Sequence, residues 1–315
     1  MTVLVTGASG FVGSALCARM RLDGHSVLGT VRRLDSNRNG SQAAAIGNLA
    51  PDTNWTALLK NVDGVVHLAA CVHMMADKSA DPLTEFRRVN GHGTTALARQ
   101  AAAAGVKRFV FLSSIKVNGE FTKLGKPFTA DDFPAPIDPY GISKHEAEQS
   151  LRQIAAETGM EVVIIRSPLV YGPGVKANFR AMMNWLARGL PLPLAAVTEN
   201  RRSLVALDNL VDLIATCLDH PSAANQTFLV SDGEDLSTAA LLKRTAQALG
   251  HPARLFPIPP LLLRLAASIF NKQEAYQRLC GSLQIDITRT KRLLGWAPPI
   301  SVDEGLSRAA AGFIR

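Results

Sequence analysis

Tyr140 and Lys144 stand four residues apart in Tyr140-Gly141-Ile142-Ser143-Lys144, a spacing that puts both side chains on one face of a helix. A free phenol keeps its proton to about pH 10 and transfers it poorly at neutral pH. A neighbouring ammonium, joined by a positive nicotinamide, favours the phenolate and brings that transfer toward the working range. Upstream, Ser113-Ser114 adds a hydroxyl able to polarise the same substrate oxygen. A second cluster, Gly7-Ala8-Ser9-Gly10-Phe11-Val12-Gly13, follows an apolar run at the N-terminus. Glycines at that spacing, between a strand and a helix, let the backbone approach a pyrophosphate while the helix N-terminus offers N–H groups to it. Together the two clusters read as hydride chemistry on a carbonyl or carbinol, with Lys144 also placed to hold the nicotinamide ribose.

The second apolar run decides the dinucleotide. A chain that binds NAD usually ends that strand on Asp or Glu, which takes the ribose hydroxyls. Here the run ends Gly29-Thr30-Val31-Arg32-Arg33, with no acid and two guanidinium groups. Arginine binds phosphate through paired, charge-assisted hydrogen bonds. NADP(H) is the favoured cofactor, through Arg32 and Arg33, and NAD(H) the alternative.

Those residues need a frame. Strand-like runs lie at 2–6, 26–31, 64–68, 108–112, 161–166 and 227–230, with helical patterns at 13–23, 81–104 and 143–157 between them. Strands alternating with helices imply an α/β fold with a Rossmann-type doubly wound parallel sheet, its crevice at the carboxyl ends of the strands. After Arg166 the rhythm loosens through the turn Tyr171-Gly172-Pro173-Gly174 and a helix at 178–188. It returns to the sheet at 203–219 and leaves again. The expected division is a dinucleotide-binding domain, 1–166 plus 204–233, capped by a smaller discontinuous α/β substrate lobe, 167–203 plus 234–315.

Bulk composition excludes other classes. The chain has 315 residues, 47% hydrophobic and 19% charged, enough for a full core. A formal charge of +8 is spread rather than massed and lacks interleaved aromatics, so no nucleic-acid partner is expected. Cys17, Cys71, Cys217 and Cys280 form no C-x-x-C pair and no histidines have H-x-x-x-H spacing, so no metal is expected and the thiols read as buried and free. The lipophilic stretch 261–270 is shorter than the roughly 20 residues a bilayer span needs, so stable membrane insertion is not expected. With no signal peptide ahead of the first strand, a cytoplasmic location is expected.

The motifs resemble the extended short-chain dehydrogenase/reductases of the nucleotide-sugar epimerase/dehydratase family over nearly the whole chain. The resemblance rests on Thr6–Gly13, His67-Leu68-Ala69-Ala70, Asn90-Gly91-His92-Gly93-Thr94, Phe111-Leu112-Ser113-Ser114, Tyr140–Lys144 and Tyr171-Gly172-Pro173-Gly174. It implies Ser114, Tyr140 and Lys144 as catalytic. Gly7, Ser9, Gly10, Phe11, Val12 and Gly13 would hold the cofactor pyrophosphate, and Asn48 and Leu49 the adenine end. Leu68, Ala69, Ala70, Ser113 and Pro168 would line the nicotinamide side, with Asn90 supporting the active-site backbone. Besides Ser114 and Tyr140, Lys116, Asn178 and Arg201 are then expected to contact a UDP-sugar, and Arg278, a lone arginine on a C-terminal helix, is a further candidate phosphate clamp. A homodimer through helices 81–104 and 143–157 is also implied. His73 and Trp296 read as structural, Trp296 within a C-terminal packing signature.

Departures from the family narrow the reaction. Ser114 is followed by Ile115-Lys116, where 4,6-dehydratases carry Thr-Asp-Glu and the 3,5-epimerase/reductases a cysteine. Oxidation or reduction at carbon 4 remains. Asn48 replaces an adenine-binding aspartate, which points to looser cofactor retention, and together with Arg32-Arg33 and Asn118 in place of a tyrosine it leans toward a reductase. The leading expectation is a reductase of a UDP-linked 4-keto-6-deoxy-N-acetylhexosamine for surface polysaccharide. The alternative is a UDP-glucose or UDP-N-acetylglucosamine 4-epimerase, and a third reading is a non-catalytic dinucleotide-binding module.

Overall fold

The computed structural model describes residues 1–34, 43–71 and 81–314. Strands β1 (Thr2–Thr6), β2 (Ser26–Val31), β3 (Ala43–Ala45), β4 (Gly64–His67), β5 (Arg108–Ser114) and β6 (Glu161–Ser167) lie in one sheet with a later strand, Thr227–Leu229. That strand is β9; β7 (Leu169–Tyr171) and β8 (Arg202–Ala206) precede it and β10 (Asp235–Leu236) follows. The main sheet has seven strands in the order β3-β2-β1-β4-β5-β6-β9, all parallel. The chain runs outward from β1 to β3 and then restarts at β4 on the other side of β1. That reversal opens a crevice at the carboxyl ends of β1 and β4.

Both faces of the sheet are covered, as a parallel sheet requires. Val3 and Val5 of β1 point into one core with Leu16 and Met20 of α1 (Phe11–Leu22). Leu4 points into the opposite core with Trp55, Phe109 and Phe111. The first core is closed by α6 (Leu207–Asp219), the second by α3 (Gly93–Ala103) and α4 (Pro139–Thr158). Trp296 is buried in the first core, where its Nε1 donates to Asp212 Oδ2 at 2.9 Å.

The helical pattern at 81–104 is one continuous run with an irregular middle. It comprises α2 (Pro82–Phe86), a wider π-helical turn at Arg87–His92, and α3. Residues 203–219 divide differently from the expectation. Helix α6 returns to the main sheet, but β8 does not; it sits in a separate three-stranded sheet, β10-β8-β7. The reason is its neighbours: β7 pairs with it in parallel and β10 in antiparallel fashion, so no edge is left for the large sheet.

A third core fills the remaining lobe, with Tyr171, Phe179 and Met183 packed on Leu204, Leu242 and Leu306. Its helices are α5 (Ala177–Ala187), α7 (Thr238–Ala248), α8 (Pro260–Ile269), α9 (Gln273–Cys280) and α11 (Val302–Ile314), whereas α10 (Thr288–Leu294) packs Leu293 and Leu294 on the first core. Residues 282–285 join the two halves. Ser282 and Gln284 carbonyls accept from Thr122 and Phe128 N–H at 2.9 Å each, while Leu283 exchanges both backbone bonds with β8 and the residue before it.

Candidate active site

The glycine turn closes on itself. Gly7 has φ +69, and a Cβ there would lie 3.0 Å from Ala69 N; a Cβ on Gly13 would lie 2.2 Å from Gly7 O. Gly10 N donates to Gly7 O at 2.8 Å, and no side chain caps α1 at Gly10. Ser9 and Gly10 are exposed and Phe11 and Val12 half-buried, so the first turn of α1 presents uncapped backbone toward the crevice.

Opposite it, the loop after β4 is held by a network that sequence reasoning missed. Thr6 Oγ1 accepts from Leu68 N and Ala69 N, both at 3.1 Å. With both lone pairs used, its hydroxyl donates to His67 Nδ1 at 2.7 Å, and His67 Nε2–H donates to Thr94 Oγ1 at 2.9 Å. The ring is thereby a neutral acceptor–donor relay, and burial followed by the charge of Lys144 lowers its pKa to about 3. Asn90, buried in the π turn, clamps the next residue: it accepts from Cys71 N at 2.8 Å and donates to Cys71 O at 3.0 Å and Ser143 Oγ at 3.1 Å. His73 lies outside the described residues.

Asp138 caps α4 by accepting from Gly141 N at 2.7 Å, which puts Tyr140 in the first turn and Lys144 one turn on. A Cβ on Gly141 would lie 2.9 Å from Lys116 O, so glycine is what lets this turn approach the end of β5. Lys144 is 2% exposed; Nζ donates to Leu112 O at 2.9 Å and lies 4.3 Å from the Phe111 ring centroid. Burial lowers its pKa to about 7, against the field of Glu148.

The phenol of Tyr140 shifts the other way from the expectation. Burial first, then Asp138 and Cys71, push its pKa above the ordinary value. The expected help from the ammonium is small because Nζ is turned to the Leu112 carbonyl, 6.0 Å from the Tyr140 ring centroid. Phe86 packs edge-on against that ring at 6.0 Å.

The two serines at the end of β5 face opposite ways, as successive strand residues must. Ser114 is half-buried, its Oγ accepting from Lys116 N at 3.3 Å. Ser113 points into the core and donates to Glu148 Oε1 at 2.6 Å. Glu148 is also gripped by both arms of Arg166, at 2.9 and 2.6 Å, and Arg166 donates to Asn118 Oδ1 at 2.9 Å.

The remaining residues singled out from the sequence are spread more widely. Lys116 is engaged in ion pairs with Asp138 and Glu120. Arg32, Arg33 and Asn48 are exposed beyond β2 and β3, Leu49 is buried against Gly93, Ala70 is half-buried, and Pro168 is buried between β6 and β7. Asn178 is exposed in the first turn of α5. Arg278 is exposed on α9, 3.7 Å from Glu274. Arg201 folds onto its own loop, donating to Thr198 O at 2.7 Å and Asn200 O at 2.9 Å. Its neighbour Arg202, not singled out beforehand, turns inward instead. Its guanidinium donates to Gly281 O at 3.1 Å, has no carboxylate partner among the described residues, and is depressed in pKa by burial.

A family model described as the NAD dependent epimerase/dehydratase family matches residues 3–231. A "UDP-glucose 4-epimerase" of Vibrio cholerae is 48% identical over 314 residues, covering 100% of this chain and 96% of that protein. Among solved structures, MoeE5 in complex with UDP-glucose and NAD is 25% identical with a TM-score of 0.78, covering 100% of this chain and 99% of that one. A UDP-glucuronic acid 4-epimerase from Bacillus cereus in complex with NAD, 21% identical with a TM-score of 0.79, shares the fold.

Proposed function

The chain belongs to the NAD-dependent epimerase/dehydratase family, and on that premise we propose that it is a UDP-hexose 4-epimerase acting on UDP-glucose or UDP-N-acetylglucosamine. The full-length 48% identity to a protein named for that activity carries the choice and displaces the 4-ketoreductase as leading reading. One feature that had favoured the reductase also has another explanation. Asn118 accepts from Arg166 and donates to Thr129 O at 2.9 Å, an architectural role that does not depend on the reaction.

The cofactor proposed is NAD, as in the MoeE5 complex. The cradle fits a dinucleotide, since any Cβ on Gly7 or Gly13 would fill the space where the turn meets Ala69 and itself. Gly7–Gly13 would hold the pyrophosphate, Asn48 and Leu49 the adenine end, and Leu68–Ala70, Lys144 and Pro168 the nicotinamide end. When bound, NAD supplies the acceptor and donor of hydride at carbon 4. The chain's own work is at the oxygen. As its phenolate, the form a positive nicotinamide alongside would favour over the buried neutral phenol, Tyr140 would take the proton from O4 and return it to the same oxygen, so no net proton is consumed. Ser114 orients that oxygen through its hydroxyl, and Asn90 with the Thr6–His67–Thr94 relay fixes the facing backbone. Arg202, rather than Arg201, neutralises the diphosphate, because an inward guanidinium without a carboxylate favours an anion. A homodimer through α3 and α4 and a cytoplasmic location complete the reading.

Incubating the protein with UDP-glucose and NAD and reading products by NMR tests this. The expected result is UDP-galactose with no net change in nicotinamide absorbance. Absence of interconversion, together with NADPH oxidation on a 4-keto UDP-sugar, would restore the reductase.

A further inference from the structure

Helix α8 has two apolar faces and half-covers only one. Leu263 packs against the third core, and Ala267, one turn on, is half-buried on the same side. On the opposite side Leu261 is 66%, Leu262 53%, Leu265 53% and Ile269 76% exposed. Successive positions rotate by about 100° around a helix, so these four form one continuous stripe. Phe256 before the helix and Phe270 directly after it are also exposed, by 43% and 71%. A contiguous aliphatic ridge of this kind on a folded protein marks an interaction surface.

We infer that α8 docks the protein on the surface of an anionic lipid bilayer. Charge selects the partner: residues 250–281 carry Arg254, Arg264, Lys272 and Arg278 against the single acid Glu274. Arg254, Arg264 and Lys272 are exposed and form no ion pair among the described residues. Aliphatic side chains flanked by cations on flexible stems are the pattern of a helix lying in a membrane interface. A second copy of the chain fits poorly, because a two-fold contact sets a patch against itself and would bring these cations face to face. Shape points the same way. The helix is a convex ridge with eight of its ten residues exposed, and a fluid interface accommodates a ridge without a matching groove. Among the described residues no helix is long and apolar enough to cross a membrane, so the contact lies in the interface.

The full chain is to be sedimented with vesicles of phosphatidylcholine alone or of phosphatidylcholine mixed with phosphatidylglycerol. Binding is expected only to the mixed vesicles, weakening as salt is raised. Leu265→Glu with Ile269→Glu, and separately Arg264→Glu with Lys272→Glu, are each expected to weaken it at least ~10-fold. Thermal midpoints should stay unchanged, since all four side chains are exposed. The proposal is overturned by wild-type protein left in the supernatant of both vesicles, or by a Leu265/Ile269 variant that pellets like wild type. A dimer mass in light scattering that the Leu265→Glu, Ile269→Glu change abolishes would also overturn it, assigning the face to self-association.

Discussion

Tyr140 is the residue on which turnover should depend most directly. Tyr140→Phe keeps the ring packed against Phe86 and removes only the proton carrier. Its kcat should fall by about 10²–10⁴ while NAD affinity stays near wild type, measured by single-turnover kinetics and titration. Glu148 is a structural counterpart. Removing it in Glu148→Ala leaves Arg166, 2% exposed, without its carboxylate, which should cost about 3–5 kcal/mol in a denaturant titration. Tyr140, Lys144 and the glycines were legible because their chemistry is written in short spacings. The Glu148–Arg166 grip was not, because it joins a helix to a strand across the core. Neither was the inward turn of Arg202: two adjacent arginines differ only in which side of a strand they face, and that phase appears once β8 is paired. The direction of the Tyr140 shift was hidden for another reason. It depends on burial and on where Nζ points, neither of which a four-residue spacing contains.

Elements were read well where local pattern and tertiary need agree. The bounds of β1 and β2 follow directly from Val-rich runs that end in turns. The π turn at Arg87–His92 escaped because its cause is distant: it buries Asn90, whose side chain holds Cys71 and Ser143. Strand β8 was assigned to the wrong sheet because a strand's own residues do not name its partner. The glycine turn supplies the test at this scale. Gly13→Ala sets a methyl 2.2 Å from Gly7 O, so the start of α1 must move away from the crevice. A fall in NAD affinity of at least ~10-fold is expected by calorimetry, with the circular dichroism of the fold retained. Unchanged affinity would show that the pyrophosphate lies elsewhere.

The whole molecule feels the buried ammonium as a pH dependence. Unfolded, Lys144 keeps its proton to 10.5; folded, it loses it near 7. Between those values the unfolded chain binds more protons, so this group makes stability rise with pH across the window and is silent below it. Lys144→Met should flatten the rise in thermal midpoint between pH 7 and pH 10 and raise the midpoint at its lower end. The crevice at the carboxyl ends of β1 and β4 was legible as a consequence of alternation, but the ribbon at 282–285 was not, since it contains no motif. That ribbon has hydrogen-bonded neighbours on both flanks, one from each half of the molecule. It acts as a seam, and a seam can be unpicked without tearing either cloth. Leu283→Pro deletes the N–H that reaches Arg201 O at 2.8 Å and should split a single calorimetric melting peak into two.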